Sequence, residues 1–158
     1  MVKNLLASVK IFQDLEMEEL ELIRKSAKEM TFPEDTVIFE QGDAGNKMYL
    51  ILEGVVEIWK SDGREIKGSR LARLKSGEVF GEMALFDKEP RSASTVTSPA
   101  RETRMLVWEE KDLFEIVESR PTLGVKLFLN FLRAMSSRLR IANDAIHTLL
   151  RSNQYIGL

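Results

Sequence analysis

Residues 80–96 read FGEMALFDKEPRSASTV, and two charged side chains in that run, Glu82 and Arg91, have the types and the setting to hold one small anionic ligand. Gly81 carries no Cβ, so the backbone there can turn sharply and approach a ligand closely. Residues 82–85 read as one helical turn, whose first amide hydrogens at Glu82, Met83 and Ala84 have no acceptor inside the turn. Those N–H groups and the positive end of the peptide dipoles attract phosphate. Arg91 adds a permanent cation, and its forked guanidinium makes paired, charge-assisted bonds to phosphate oxygens. Pro90 disfavours helix at Glu89, so the chain becomes extended as it delivers Arg91. Glu82 repels phosphate, so a carboxylate beside a phosphate site implies a ligand that also bears hydroxyls, such as a sugar phosphate. The competing reading, a surface turn with an ordinary arginine, asks for none of this order.

The segment closely resembles the phosphate-binding cassette of the cyclic-nucleotide-binding domain family, which includes regulatory subunits of cyclic-nucleotide-dependent protein kinases and bacterial catabolite-activator-type transcription factors. That family's pattern is Phe-Gly-Glu, two or three small or apolar residues, a variable loop, then Arg, two small residues and Ser or Thr. It falls here on Phe80, Gly81, Glu82, Met83, Ala84, Leu85, Arg91, Ser92, Ala93 and Ser94. The resemblance implies that Glu82 holds a ribose 2′-hydroxyl and Arg91 a cyclic phosphate. Ser92 and the backbone of Met83, Ala84 and Ala93 would add donors to that phosphate. Gly42, Tyr49 and Gly54 match the family's earlier strand-turn pattern, so the resemblance covers nearly the whole chain. It implies an α+β fold, a jelly-roll type of β-roll with N-terminal helices and a long C-terminal helix.

The elements that must position these residues show in the hydrophobic period. Leu5, Leu6, Val9, Leu20, Ile23 and Ala27 recur at helical intervals, which predicts helices over residues 1–32. Short apolar runs at 37–39, 48–52, 55–59, 70–74, 94–97 and 104–108 predict strands, with Asp62-Gly63 as a hairpin signal and Gly42, Gly45, Gly54 and Gly77 marking turns. Many short strands at this spacing suggest a sandwich or small barrel, which the resemblance sharpens to a β-roll over 33–110, with the cassette at 80–96 inside it. Helices are expected over 111–152, the longer one opening at Pro121. All of 1–158 reads as a single cyclic-nucleotide-binding domain.

In the long helix, Phe128, Leu132, Met135, Leu139, Ala142, Ile146 and Leu149 alternate at steps of four and three. That is a helix–helix seam of 3.5-residue period, and it predicts a homodimer. By resemblance to catabolite-activator-type members, the run 138–143 closes the pocket over the purine. Arg138 would reach Glu82 or the ribose, and Asn143 the base. Asn143 and Ala142 depart from the hydroxyl residues found there, although an amide can pair with the N6 and N7 edge of adenine. A hydroxyl at the position of Ser94 is associated in the family with cGMP, and serine permits guanine without excluding adenine. The expected ligand is cAMP, with cGMP as the alternative. Leu74, Val79 and Met83 are the expected apolar wall for the base, and Tyr155 and Ile156 are candidates for a lid.

Composition narrows the function. A net charge of −2 argues against a broad nucleic-acid surface, and no cysteine is present for disulfide or thiolate chemistry. His147 is the sole histidine, so a transition-metal site, a cofactor site or a Ser-His-Asp constellation has no support. No apolar run is long enough for a signal peptide or a membrane span, and the expected location is cytoplasmic. After the long helix only residues 151–158 remain, too few for a helix-turn-helix module. The chain reads as a sensor without enzymatic activity that signals through helix movement to an unidentified downstream protein. The alternative is a degenerate dimerisation scaffold on the same fold that no longer binds nucleotide.

Overall fold

The computed structural model describes residues 2–63 and 65–156, with side chains for 5–63 and 65–151. The chain opens with helix α1 (Val2–Ser8), a 3-10 turn (Lys10–Phe12) and α2 (Met17–Ser26). Among the described residues eight strands follow: β1 (Lys28–Phe32), β2 (Val37–Phe39), β3 (Lys47–Glu53), β4 (Val55–Lys60), β5 (Ser69–Lys75), β6 (Val79–Phe80), β7 (Ser94–Thr97) and β8 (Thr103–Glu109). Helix α3 (Met83–Asp87) interrupts them after β6, and α4 (Glu110–Ser119) and α5 (Pro121–Ile156) close the chain. The strands form two four-stranded antiparallel sheets, ordered β1-β8-β3-β6 and β2-β7-β4-β5.

The alternation of side chains along β3 explains where the core sits. Met48, Leu50 and Leu52 point to the helices, whereas Tyr49 and Ile51 point to the opposite sheet. β8 repeats this with Leu106 and Trp108 on the helical side and Met105 and Val107 between the sheets. A sheet covered on both faces needs apolar residues at every position, which is why these strands read as unbroken runs. Trp108 is fully buried against Phe12, and its Nε1–H donates to the Ile23 carbonyl at 2.8 Å. It joins the N-terminal helices to the sheet. Trp108→Ala is expected to cost about 3–5 kcal/mol in denaturant unfolding, since the site cannot collapse around so large a void. A loss under about 1 kcal/mol would show that the helices hold without it.

One element departs from the sequence expectation. Helix was predicted through residue 32, but α2 ends at Ser26 and residues 28–32 form β1, laddered to β8 from Lys28↔Val107 to Phe32↔Thr103. The reason is that β1 buries little, with Met30 42% exposed. It is held by backbone bonds and by ion pairs, Lys28–Glu109 at 3.0 Å and Arg24–Glu29 at 3.3 Å. A strand fixed this way leaves no alternation of apolar residues to read.

Helix α5 has two unlike halves. Leu123, Leu127 and Phe131 are buried in the core, and the buried Asn130 donates from Nδ2 to the carbonyls of Gln13 (2.6 Å) and Ile11 (3.3 Å). Lys126 reaches Glu19 at 2.8 Å. From Arg138 to Arg151 every residue is exposed, so only the first half is packed into the domain.

Candidate functional site

β6 is followed by Gly81, whose φ of +77° turns the chain into α3, and the loop after α3 returns through Arg91 into β7. This hairpin of helix and loop lies over sheet β2-β7-β4-β5 and encloses a cavity of about 280 Å³. Gly81, Glu82, Met83, Ala84, Arg91, Ser92, Ala93 and Arg138 all line it. So do Leu74, Val79 and Met83, the residues expected to form an apolar wall.

Arg91 is 5% exposed. Its Nη1 donates to the Gly81 carbonyl at 2.7 Å and its Nη2 to the Lys47 carbonyl at 2.9 Å. Its Nε is buried without a hydrogen-bond partner among the described residues. Burial pulls its pKa below the usual arginine value, while Tyr49, Glu82 and Asp43 act in the opposite direction. An arginine stays charged in any case. Among the described residues no carboxylate forms an ion pair with it, and its side-chain hydrogen bonds go to neutral carbonyls.

Two glycines make that burial possible. A Cβ on Gly81 would come within 2.9 Å of Arg91 Nη1, and one on Gly45 within 2.8 Å of Nε and 2.4 Å of the Ala84 Cβ. The 40–47 loop also grips the arginine backbone: Gly42 N–H donates to the Arg91 carbonyl at 2.9 Å, and Arg91 N–H to the Asp43 carbonyl at 2.8 Å.

Glu82 is 2% exposed and stands at the start of α3. Its Oε1 is ion-paired with Arg138 Nη1, reaching over from α5, and Arg138 Nη2 donates to the Val79 carbonyl at 3.0 Å. Two acids, Glu78 and Glu82, and two cations, Arg91 and Arg138, therefore line the cavity, and the second cation arrives from the exposed half of α5.

Two candidates are not brought here. Ser94 is 1% exposed but its Oγ accepts the Gln41 amide at 2.9 Å on the outer side of β7, away from the cavity. Strand alternation explains this: Ala93 and Thr95 face in, so Ser94 faces out. Asn143 is exposed on α5 five residues beyond Arg138 and does not line the cavity. Backbone helix continues through Ile156, and the side chains of Tyr155 and Ile156, the lid candidates, lie outside the described residues. The sequence reading missed Phe39, Ile58, Ala72 and Thr95 as wall residues and Gly45 as the wall of Arg91. Only the last left a trace, as the second of two glycines three residues apart in QGDAG.

Comparison with known proteins gives a consistent picture. The family model described as cyclic nucleotide-binding domain matches residues 29–120. A CRP-like cAMP-activated global transcriptional regulator of Mycobacterium tuberculosis is 30% identical over 149 residues, covering 93% of this chain and 62% of that protein. A solved cyclic nucleotide-binding domain from Methylobacillus flagellatus superposes with a TM-score of 0.78 at 28% identity, over 92% of this chain and 80% of that one. The catabolite activator protein of Thermus thermophilus does so at 0.76 and 30% identity, over 89% and 62%. The chain thus spans about three fifths of the regulators it matches.

Proposed function

The chain belongs to the cyclic nucleotide-binding domain family, and we propose that it is a regulatory module that binds a cyclic purine nucleotide, cAMP in preference to cGMP, and relays the bound state through α5. The observation that carries this reading is the buried Arg91, held by carbonyls and lacking a carboxylate partner among the described residues, in one cavity with the buried Glu82. Arg91 and the amides opening α3 would take the cyclic phosphate. Glu82 would accept from a ribose hydroxyl, and the apolar side chains of Ile58, Leu74 and Val79 would flank the purine. The relative named for activation by cAMP favours adenine. The argument for guanine from Ser94 lapses, because that hydroxyl is engaged outside the cavity.

Calorimetric titration of nucleotide-stripped protein with cAMP and cGMP in parallel tests the reading. Micromolar or tighter binding of cAMP, about −8 kcal/mol or better, is expected, with cGMP weaker. No heat and no thermal stabilisation with either would leave the alternative, a scaffold of the same fold that has lost its ligand.

The exposed seam of α5 supports a second part of the proposal, pairing with another copy of the chain. Leu132 is 63% exposed, Leu139 62% and Ile146 54%, and they share one helix face. Sedimentation should show a wild-type dimer and a Leu139→Glu monomer that still binds cAMP. A monomeric wild type at working concentration would overturn the pairing. The relay has its own signature: Arg138 ties the unpacked half of α5 to Glu82, so nucleotide should slow amide exchange over residues 138–150. Unchanged exchange there would separate binding from any relay.

A further inference from the structure

The guanidinium of Arg91 lies over the ring of Phe39, with Cζ 4.1 Å from the ring centroid. That is well inside the reach of a cation–π attraction, which strengthens when both partners are desolvated. The ring is itself held firmly. It packs against Tyr49 at 5.9 Å and Phe80 at 6.1 Å between centroids, and those two stack on each other at 4.9 Å and 7°. β2 carries a one-residue register shift between Val37 and Phe39 against β7, the kind of bulge that re-aims a side chain. Gly45 in turn leaves no room for a side chain beside Nε and Cζ. The guanidinium is thereby confined to a slot with an aromatic floor.

We propose that Phe39 is the positioning residue for Arg91: its ring face balances the buried cation and sets the guanidinium plane without consuming any of its N–H donors. The chemistry explains why a ring serves better than an acid. A carboxylate at that place would neutralise the arginine and occupy two donors, leaving little for a phosphate. An aliphatic side chain would fill the space but give the cation nothing. The ring leaves the second hydrogen of each terminal nitrogen for the ligand, once the Gly81 and Lys47 carbonyls have taken one apiece.

This inference rests on the reading of Arg91 as the phosphate ligand, and the test separates the two. Calorimetry with cAMP is run on the wild type, Phe39→Leu, Phe39→Tyr, Arg91→Ala and the Phe39→Leu/Arg91→Ala double variant, each checked for a native melting transition. Phe39→Leu should weaken binding about five- to thirtyfold, and Phe39→Tyr should stay within about twofold of the wild type. In the Arg91→Ala background the leucine substitution should add nothing further. An equal loss in both backgrounds would make Phe39 a wall for the base and overturn the proposal, as would wild-type affinity in Phe39→Leu. Should the wild type not bind cAMP at all, the functional reading falls, and the slot is still tested without ligand. The Arg91 Nε–H proton, identified by its loss in Arg91→Ala, should lie upfield from the ring current and move downfield in Phe39→Leu; an unmoved resonance would overturn the placement.

Discussion

Arg91→Ala is expected to weaken cAMP binding by about a hundredfold or more while leaving the domain folded. Removing one partner from a buried charged pair costs about 2–5 kcal/mol, and every 1.4 kcal/mol is tenfold in affinity. The upper part of that range applies because Arg91 is 5% exposed and has no carboxylate partner among the described residues, so its charge is reserved for the ligand. The fold should tolerate the change for the same reason. No ion pair is broken, and the backbone bonds from Gly42 to the Arg91 carbonyl and from the Arg91 amide to Asp43 do not involve the side chain. The carbonyls of Gly81 and Lys47 lose a donor, but Gly81 borders a cavity that water can enter. Arg91→Lys should fall in between: the charge returns, but one ammonium cannot span both carbonyls and also present a fork to phosphate. Calorimetry on the three proteins decides the matter. A loss below about threefold in Arg91→Ala, roughly 0.7 kcal/mol, would remove Arg91 from the phosphate.

How much of this could be read from the sequence depends on how far each residue acts from its own neighbourhood. The cassette was legible because its parts are local. Gly81, Glu82 and Arg91 sit within eleven consecutive residues, and the turn, the short helix and the extended return each follow from chain-level rules. β3 and β8 were legible as unbroken apolar runs, because sheet β1-β8-β3-β6 is covered on both faces. β1 was not, since ion pairs and the β8 ladder hold it rather than burial. Phe39 read as an ordinary strand residue, for its role exists only once a bulge in β2 aims it at a side chain 52 positions away. Ser94 shows the opposite error. Its place in the motif suggested a ligand contact, but strand alternation turns it outward. Arg138 was legible only through resemblance, 56 residues from the acid it pairs with.

Glu82→Ala should weaken cAMP about ten- to a hundredfold and at the same time abolish discrimination against 2′-deoxy-cAMP. A hydrogen bond to a charged group contributes about 1.5–3 kcal/mol, which sets the size of the loss. A carboxylate near a phosphate is repulsive, and a carboxylate 2% exposed is costly to bury, so Glu82 needs compensation from two directions. Arg138 supplies one by pairing with Oε1. A carboxylate has roughly four lone-pair sites, so a ribose hydroxyl can supply the other without displacing the arginine. The wild type should therefore lose affinity when the hydroxyl is absent, and Glu82→Ala should lose nothing more for the deoxy ligand; equal losses in both proteins would place the ribose elsewhere. The same variant tests the relay. Without Glu82, Arg138 keeps only the Val79 carbonyl among the described residues, and residues 138–150 should exchange faster before any nucleotide is added. If affinity falls but that exchange does not change, Glu82 serves the ligand alone, and α5 must sense the bound state through some other contact.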